Sequence, residues 1–278
     1  MGRMTCYDLH THSTASDGSL TPEALVARAV EQGVDVLALT DHDGTEGINT
    51  ARLAAKETAL TLIAGVEISV TWGYNTIHIV GLNLDIENQK LQQGLASLRD
   101  YRIGRAQEMA NRLEKAGISG SWEGAKKYAS ETMLGRVHFA KFLVEQGHAK
   151  DINDVFKRYL VRNKPGYVPG QWATLEDAVD WINGAGGQAV IAHPARYKIT
   201  ATKLRHLISE FKEMGGVGFE VVSGRQHPEE VKKLARLAQQ FELLASCGSD
   251  FHGPENNWVE LGRLATMPES CNPIWMDW

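Results

Sequence analysis

The chain has 278 residues, of which 43% are hydrophobic and 23% are charged, so it is not disordered and can bury the core of one large or two modest globular domains. No apolar run approaches the roughly 18 to 20 residues that span a bilayer, and the N-terminus lacks an export signal, so we expect a cytoplasmic protein without a membrane anchor. The net charge of −5 conceals a basic segment, since residues 99–170 carry 14 Lys and Arg against 8 Asp and Glu, a balance of +6 that leaves −11 for the rest. The acidic part could hold cations and the basic segment could face an anionic substrate, although a solvated helical surface would also explain that segment.

Seven short apolar runs predict β-strands, and helical patterns lie between several of them. The pattern TPEALVARAVEQG begins with a Thr cap and Pro and ends at Gly, and TLEDAVDWINGAGG begins with a second Thr cap, Thr174. Strands that alternate with helices indicate a parallel sheet, and seven of them favour a closed or nearly closed (β/α) barrel of the α/β class. In chain order, the predicted strands are MTCYDLH, VDVLALTDH, LTLIAGVEI, TIHIVGLN, QAVIAHP, VGFEVV and LLASCGSD.

The alternation stops in the middle of the chain, where the helical patterns YRIGRAQEMANRLEKAG, GRVHFAKFLVEQG and DINDVFKRYL follow one another without a convincing strand. Because apolar strand runs resume after them, the chain leaves one domain and returns to it. We therefore expect residues 1–98 and 168–278 to form a barrel that carries the site. Residues 99–167 are expected to form a helical insertion, or lid, that contributes to substrate binding.

Imidazole and carboxylate side chains stand where the predicted strands end. An isolated His-x-His pair such as His10 and His12 could be a surface accident, but parallel α/β folds bring the carboxyl ends of their strands to one mouth. Six such ends with almost no Lys or Arg would be electrostatically unfavourable without cations. Mixed His and Asp/Glu ligation without thiolate suits Mn²⁺, Fe²⁺ or Zn²⁺, so we expect a metal cluster shared by the two histidines. The residues at these ends are His10, His12, Asp41, His42, Asp43, Glu67, His78, His193, Asp250 and His252.

The order of these motifs resembles a known family. The runs DLHTHSTASDGSLTP, GVDVLALTDHDGTEGI, GVEIS, HIVG, AHP and GSDFH are similar to those of the PHP (polymerase and histidinol phosphatase) family of metal-dependent phosphoesterases. The long second motif and the helical insertion look most like the bacterial branch of 3',5'-nucleoside bisphosphate phosphatases and 5'-to-3' exoribonucleases, the RNase AM group. The resemblance implies a distorted (β/α)7 barrel with a helical insertion domain and three divalent ions, for which we expect Mn²⁺, with Fe²⁺ or Zn²⁺ as alternatives.

The resemblance also implies a ligand set, and each of its nine positions carries the residue type that the family uses. A degenerate barrel without activity is therefore not expected. Glu67 would bridge two ions. Carried over by motif, the ligands are His10, His12, Glu67 and Asp250 for the first ion, Glu67, His78 and His193 for the second, and Asp17, His42 and His252 for the third.

The expected nucleophile is a metal-bound hydroxide, with no side-chain nucleophile. Closely spaced metals lower the pKa of a bound water and neutralise phosphoryl oxygens, so the hydroxide can attack phosphorus in line with the leaving ribose oxygen. The sequence has no G-x-S-x-G motif, and Ser13 and Ser16 follow His12 as ordinary loop residues would.

Candidate substrate contacts come from basic side chains near the predicted mouth. Arg196 follows His193 directly, and Arg136 starts a helical pattern of the insertion. Arginine can grip a second phosphate with two hydrogen bonds, but each of these side chains could equally be a solvated surface charge. The candidates are Arg136, Arg196, His138 and Lys164.

Other residues leave two interpretations open. Asp43 could orient His42 or serve only as a turn residue. Three tryptophans could stack on a base, although isolated aromatic residues more often belong to a core. They are Trp122, Trp172 and Trp181.

The expected reaction is hydrolysis of the 3'-phosphate of nucleoside 3',5'-bisphosphates, together with 5'-to-3' cleavage of short 5'-phosphorylated oligonucleotides. Two alternatives remain: a histidinol-phosphate phosphatase, whose cationic substrate would prefer an acidic pocket, and a non-catalytic nucleic-acid-binding module of the polymerase-attached type. The expected partners are a small nucleotide and short RNA or DNA, with no membrane and no obligatory protein partner.

Overall fold

A computed structural model describes residues 4–129, 133–255 and 259–278. Within these ranges the strands are β1 (Tyr7–Thr11), β2 (Val36–Leu39), β3 (Thr61–Trp72), β4 (Asn75–Leu82), β5 (Gln188–Ile191), β6 (Gly218–Ser223) and β7 (Leu244–Gly248). The α-helices are α1 (Pro22–Gln32), α2 (Ile48–Ala55), α3 (Gln89–Lys115), α4 (Ser121–Lys126), α5 (Arg136–Glu145), α6 (Ile152–Val155), α7 (Leu175–Gly184), α8 (Ala201–Glu213) and α9 (Pro228–Phe241). A π-helical turn covers Phe156–Leu160, and 3-10 turns cover Pro194–Arg196 and Ile274–Asp277.

The strands form one seven-stranded sheet in the order β1-β2-β3-β4-β5-β6-β7. The sheet closes where Thr11 makes a parallel bridge to Phe251 and the His12 amide donates to the Phe251 carbonyl over 2.9 Å. Gly248 of β7 lies so close to β1 that a Cβ there would overlap the His10 side chain, so the closure requires glycine. The nearly closed seven-stranded α/β barrel expected from the sequence is confirmed.

One strand departs from the expected parallel sheet. Strand β4 is antiparallel to both β3 and β5, so the prediction of parallel neighbours throughout is wrong for this strand. The cause is local, since Trp72 pairs with Asn75 across a tight turn in which Gly73 has φ of 57°. Such a turn reverses the chain without a crossover helix.

The described residues form separate apolar clusters in the barrel and in the insertion. One cluster lies between the sheet and the surrounding helices and includes Leu91, Leu95 and Leu98 of α3, whereas the insertion cluster starts on the same helix at Ala106. Trp181 packs against the barrel cluster and Trp122 against the insertion cluster, which matches the core interpretation for both. No helix in these ranges is both long and apolar enough to cross a bilayer.

Candidate metal centre

Strand β1 delivers the two histidines of the first motif to one point. His10 lies within the strand and His12 directly follows it, and both side chains are fully buried. Alternate residues of an extended chain share a face, so the two imidazoles converge and their Nε2 atoms are 3.1 Å apart. The His10–His12 pair is therefore not a chance arrangement on the surface.

Glu67 occupies the middle of the centre. Its Oε1 lies 2.8 Å from His78 Nδ1 and 3.0 Å from His193 Nε2, and its Oε2 lies 2.9 Å from His42 Nδ1. His10 and His12 each approach a Glu67 oxygen to 3.4 Å. Glu67 lies within the 12-residue strand β3 and His78 within the antiparallel strand β4, so neither stands at the carboxyl end of a parallel strand as the sequence suggests.

The donor atoms fall into three groups among the described residues, each within a span of 4.8 Å. The first group has the composition that the resemblance implies. In the other two, His42 joins Glu67 and His78, and His12 joins the third set, while His193 contacts Glu67 without belonging to any group. The structure thus brings all nine expected side chains together, and their division among individual ions stays a prediction. The groups are His10, His12, Glu67 and Asp250; His42, Glu67 and His78; and His12, Asp17, His42 and His252.

Divalent ions fit this donor set. Burial alone would raise the pKa of Glu67, but His78, His42 and His10 hold it well below the usual value, so the carboxylate remains anionic. Several buried polar atoms of the centre have no hydrogen-bond partner among the described residues, and a bound cation would satisfy them. These atoms are Asp17 Oδ1, His42 Nδ1, Glu67 Oε2 and His193 Nδ1.

The backbone turns sharply around the centre. Asp43, His193 and Asp250 adopt the left-handed region with φ of 50°, 31° and 56°, which non-glycine residues rarely occupy. Such conformations persist only where surrounding contacts hold them, and they concentrate at functional sites. Here they aim the ligands that follow β5 and β7 into the mouth.

A cationic cavity of about 200 Å³ adjoins the centre. Asp17, His42 and His78 form one wall, and the opposite wall comes from α3, α5 and the segment that returns to the barrel. An anion in this cavity would meet metal donors on one side and guanidinium groups on the other. Its basic lining residues beyond the centre are Arg102, Arg105 and Arg136.

Asp43 holds Arg102 in the cavity wall. The Arg102 Nη2 pairs with the Asp43 carboxylate and donates to Ser69 Oγ over 2.9 Å. The other Asp43 oxygen accepts from the Ser69 amide over 2.7 Å. Asp43 therefore orients Arg102. The sequence suggested only that Asp43 orients His42 or serves as a turn residue.

The indole of Trp172 supports two guanidinium groups. Its ring lies 4.6 Å from Cζ of Arg102 and 5.3 Å from Cζ of Arg105, and Arg105 also donates two hydrogen bonds to the Val168 carbonyl. Burial lowers the pKa of Arg105 to about 10, and the like charge of Arg136 adds to this effect. The cavity therefore concentrates positive charge, and a bound anion would offset the repulsion between these guanidinium groups.

The sequence profile of the PHP domain matches residues 8–189, well over half of the chain. The chain belongs to the PHP family. It is 51% identical over 274 residues to the 5'-3' exoribonuclease Rnm of Escherichia coli (strain K12), covering 98% of this chain and 93% of the relative. It is 46% identical over 275 residues to the 3',5'-nucleoside bisphosphate phosphatase of Chromobacterium violaceum, covering 99% and 96% of the two chains.

A solved structure of an amidohydrolase from Chromobacterium violaceum, with bound sulfate and no metal, matches this PHP chain with a TM-score of 0.92. It is 46% identical, and the match covers 97% of this chain and 94% of the other. The family that the motifs resemble is confirmed, and the relatives carry the names of both activities of the expected branch.

The four expected substrate contacts of the PHP chain lie in different places. Arg136 lines the cavity, and within the described part of the chain it makes no hydrogen bond or ion pair. His138 is buried and its Nδ1 accepts from the Gly135 amide over 3.0 Å, while Lys164 is exposed and outside the cavity lining. Arg196 pairs with Asp250, an expected ligand. Substrate roles for all four stay predictions.

Sequence reasoning missed a buried carboxylate behind the ligands. Glu220 of β6 lies 2.5 Å from His10 Nδ1 through its Oε1, and its Oε2 accepts from the His193 amide over 2.6 Å. A carboxylate hydrogen-bonded to the far nitrogen of a ligating histidine sets the ring tautomer and orientation. The signal was a lone Glu inside the apolar run GFEVV.

We expect Glu220→Gln to weaken metal binding by about 10- to 100-fold without unfolding the barrel, because the amide keeps the shape but loses the charge that orients His10. Metal titration followed by elemental analysis, with thermal melting as a check on folding, measures this. Glu213→Gln, at the exposed end of α8, is the matched control. Unchanged metal affinity in Glu220→Gln would remove Glu220 from the centre.

Proposed function

We propose that this PHP enzyme hydrolyses the 3'-phosphate of nucleoside 3',5'-bisphosphates and removes nucleotides from the 5' end of short 5'-phosphorylated oligonucleotides. The observation that carries the proposal is the cavity in which Arg102, Arg105 and Arg136 face metal-donor side chains. The relatives named as an exoribonuclease and as a bisphosphate phosphatase support both reactions. The phosphoesterase class expected from the sequence is confirmed by the family and by these relatives.

Both reactions break the same bond. In a nucleoside bisphosphate, phosphorus on the 3'-oxygen is a monoester, and in RNA it is a diester that leads to the next nucleotide. Addition of water to that phosphorus and cleavage of its bond to the 3'-oxygen returns a 3'-hydroxyl in either case. A site that grips the 5'-phosphate at a fixed distance from the metal donors therefore serves both substrates.

The arginines of the insertion would bind the 5'-phosphate. Arg102 is fixed by Asp43 and Ser69, and Arg136 has donors available for a bidentate contact. Under this proposal residues 99–167 act as the substrate-binding lid of a barrel formed by 1–98 and 168–278, and the two apolar clusters support that division. The cytoplasmic location stays a prediction.

The nine donor residues would hold three divalent ions, and we propose Mn²⁺ because the set combines imidazole and carboxylate without thiolate. When bound, such ions activate a water and neutralise the phosphoryl oxygens. Glu67 holds the imidazoles of the centre in place through both of its oxygens, and Glu220 fixes His10 from behind.

The alternatives receive less support. Histidinol phosphate carries an ammonium group, which three guanidinium groups beside the centre would repel. A non-catalytic module would not need the complete set of donors that the structure brings together.

A panel of substrates tests the proposal on the Mn²⁺-loaded enzyme. We expect kcat/KM for adenosine 3',5'-bisphosphate and for a 5'-phosphorylated trinucleotide to exceed that for histidinol phosphate by at least about 10-fold, the effect of one lost charge-assisted contact. A chelator should stop all turnover, and added Mn²⁺ should restore it. Faster hydrolysis of histidinol phosphate would overturn the substrate assignment.

A further inference from the structure

A groove begins next to the metal centre and outside the lining of the cationic cavity. It starts with a cleft lined by Pro194 and Tyr197, directly after the centre's His193, and continues between α8 and α9. A second cleft of about 240 Å³ extends it along α9. The two clefts share Ala201, Leu204 and Lys233, so they form one continuous feature, here called the α8–α9 groove.

The outer half of the α8–α9 groove is cationic. Its lining contains Arg205, Lys233 and Arg236 and no carboxylate. Within the described residues none of the three forms an ion pair, whereas Lys232, the neighbour on α9, pairs with Glu229. Glu230, a carboxylate of the groove, lines the inner cleft, so the outer half presents the three cations together.

The groove and the cavity border the centre through different elements, and their linings share no residue. The cavity is bordered by β3, β4 and the insertion, whereas α8 and α9 follow β5 and β6. An oligonucleotide whose 5'-phosphate occupies the cavity and whose scissile phosphorus lies at the centre must continue its 3' segment away from the cavity. The groove offers such a path, because its first lining residue, Pro194, directly follows His193 of the centre.

We propose that the α8–α9 groove binds the sugar-phosphate backbone of single-stranded nucleic acid on the 3' side of the scissile bond. The inference rests on the proposed function and extends it by assigning a binding site to the 3' segment of an oligonucleotide substrate. The spaced cations of Lys233 and Arg236 suit successive phosphates, whose contacts carry no sequence information. A nucleoside bisphosphate is too short to reach them.

The experiment compares Lys233→Ala/Arg236→Ala with Lys232→Ala, a control that removes an adjacent cation outside the groove. Substrates are adenosine 3',5'-bisphosphate and 5'-phosphorylated single-stranded oligonucleotides of two and ten nucleotides. We expect the double variant to lower kcat/KM for the ten-nucleotide substrate on the order of 20-fold at about 0.1 M salt, and to reduce the salt slope by about 1.4, which corresponds to two phosphate contacts. The bisphosphate should be hydrolysed at the wild-type rate by all three proteins.

Binding of a labelled, hydrolysis-resistant phosphorothioate decanucleotide, followed by anisotropy, separates the groove from the reaction. Weaker binding by the double variant alone, with the reduced salt slope, supports the groove. Equal binding by wild type and double variant overturns it, whatever the turnover. Absence of bisphosphate hydrolysis in wild type would instead overturn the proposed function.

Discussion

Replacing Glu67 by alanine is expected to lower kcat/KM for the nucleoside bisphosphate by about 10³-fold or more, the largest loss from any single substitution in the centre. The carboxylate belongs to two of the three donor groups and contacts His42, His78 and His193 through its two oxygens. Its removal loosens ligands of more than one ion and leaves buried imidazoles without their counter-charge. The loss corresponds to about 4 kcal/mol of transition-state stabilisation. Elemental analysis of the variant should show reduced metal content.

The control for this prediction is Asp17→Ala. Asp17 belongs to a single donor group, and its carboxylate reaches His42 and His252 only at 3.9 and 3.3 Å. We expect a smaller loss that excess Mn²⁺ partly restores. Comparable losses for both variants at saturating metal would argue against a bridging role for Glu67.

The sequence predicted the barrel and its donor residues because both leave local signals. Short apolar runs that end in histidine or aspartate mark strands that lead to a common mouth. The sequence does not predict the antiparallel hairpin of β3 and β4, because TIHIVGLN has the same composition whichever way its strand runs. Strand direction depends on the connection, which here is the tight turn at Gly73.

The sequence does not predict the cationic cavity, because which side chains of a long helix are buried depends on what the helix packs against. Arg102 and Arg105 are three residues apart on α3. In the sequence they stand out only as members of the basic segment 99–170. The structure turns that face toward Asp43 and Trp172, where both arginines are buried. Polar residues at i and i+3 indicate a shared face, but they do not show which face is covered.

Arg196 has a different environment from the cavity arginines. Its place directly after AHP makes it a candidate contact for the second phosphate, and its guanidinium pairs with Asp250. An arginine bound to an expected ligand affects the metal centre itself. Arg136, by contrast, lines the cavity, and its Cζ lies 5.7 Å from the centroid of the Phe156 ring in a cation–π contact.

Because Arg136 and Arg196 make different contacts, their substitutions should change kcat/KM for different sets of substrates. The wild-type enzyme is expected to hydrolyse a nucleoside 3',5'-bisphosphate about 10- to 100-fold better than the 3'-monophosphate, because a charge-assisted bidentate contact contributes about 1.5 to 3 kcal/mol. Arg136→Ala should remove most of that preference and leave the 3'-monophosphate and an aryl phosphate nearly unchanged, since neither reaches the cavity arginines with a second phosphate. Arg196→Ala should lower kcat/KM for all three substrates by a similar factor, since it acts through Asp250.

Arg136→Lys supplies the matched variant, because it keeps the charge and loses the planar fork, and it should restore only part of the preference. Kcat/KM for the three substrates on wild type and on the three variants at saturating Mn²⁺ gives the comparison. If wild type hydrolyses both nucleotides equally well, the cavity does not bind a 5'-phosphate and the substrate assignment fails, although the metal centre would stand. If Arg136→Ala lowers all substrates together, then Arg136 supports the fold of the lid, and the 5'-phosphate contact must come from Arg102 and Arg105, which share the cavity wall.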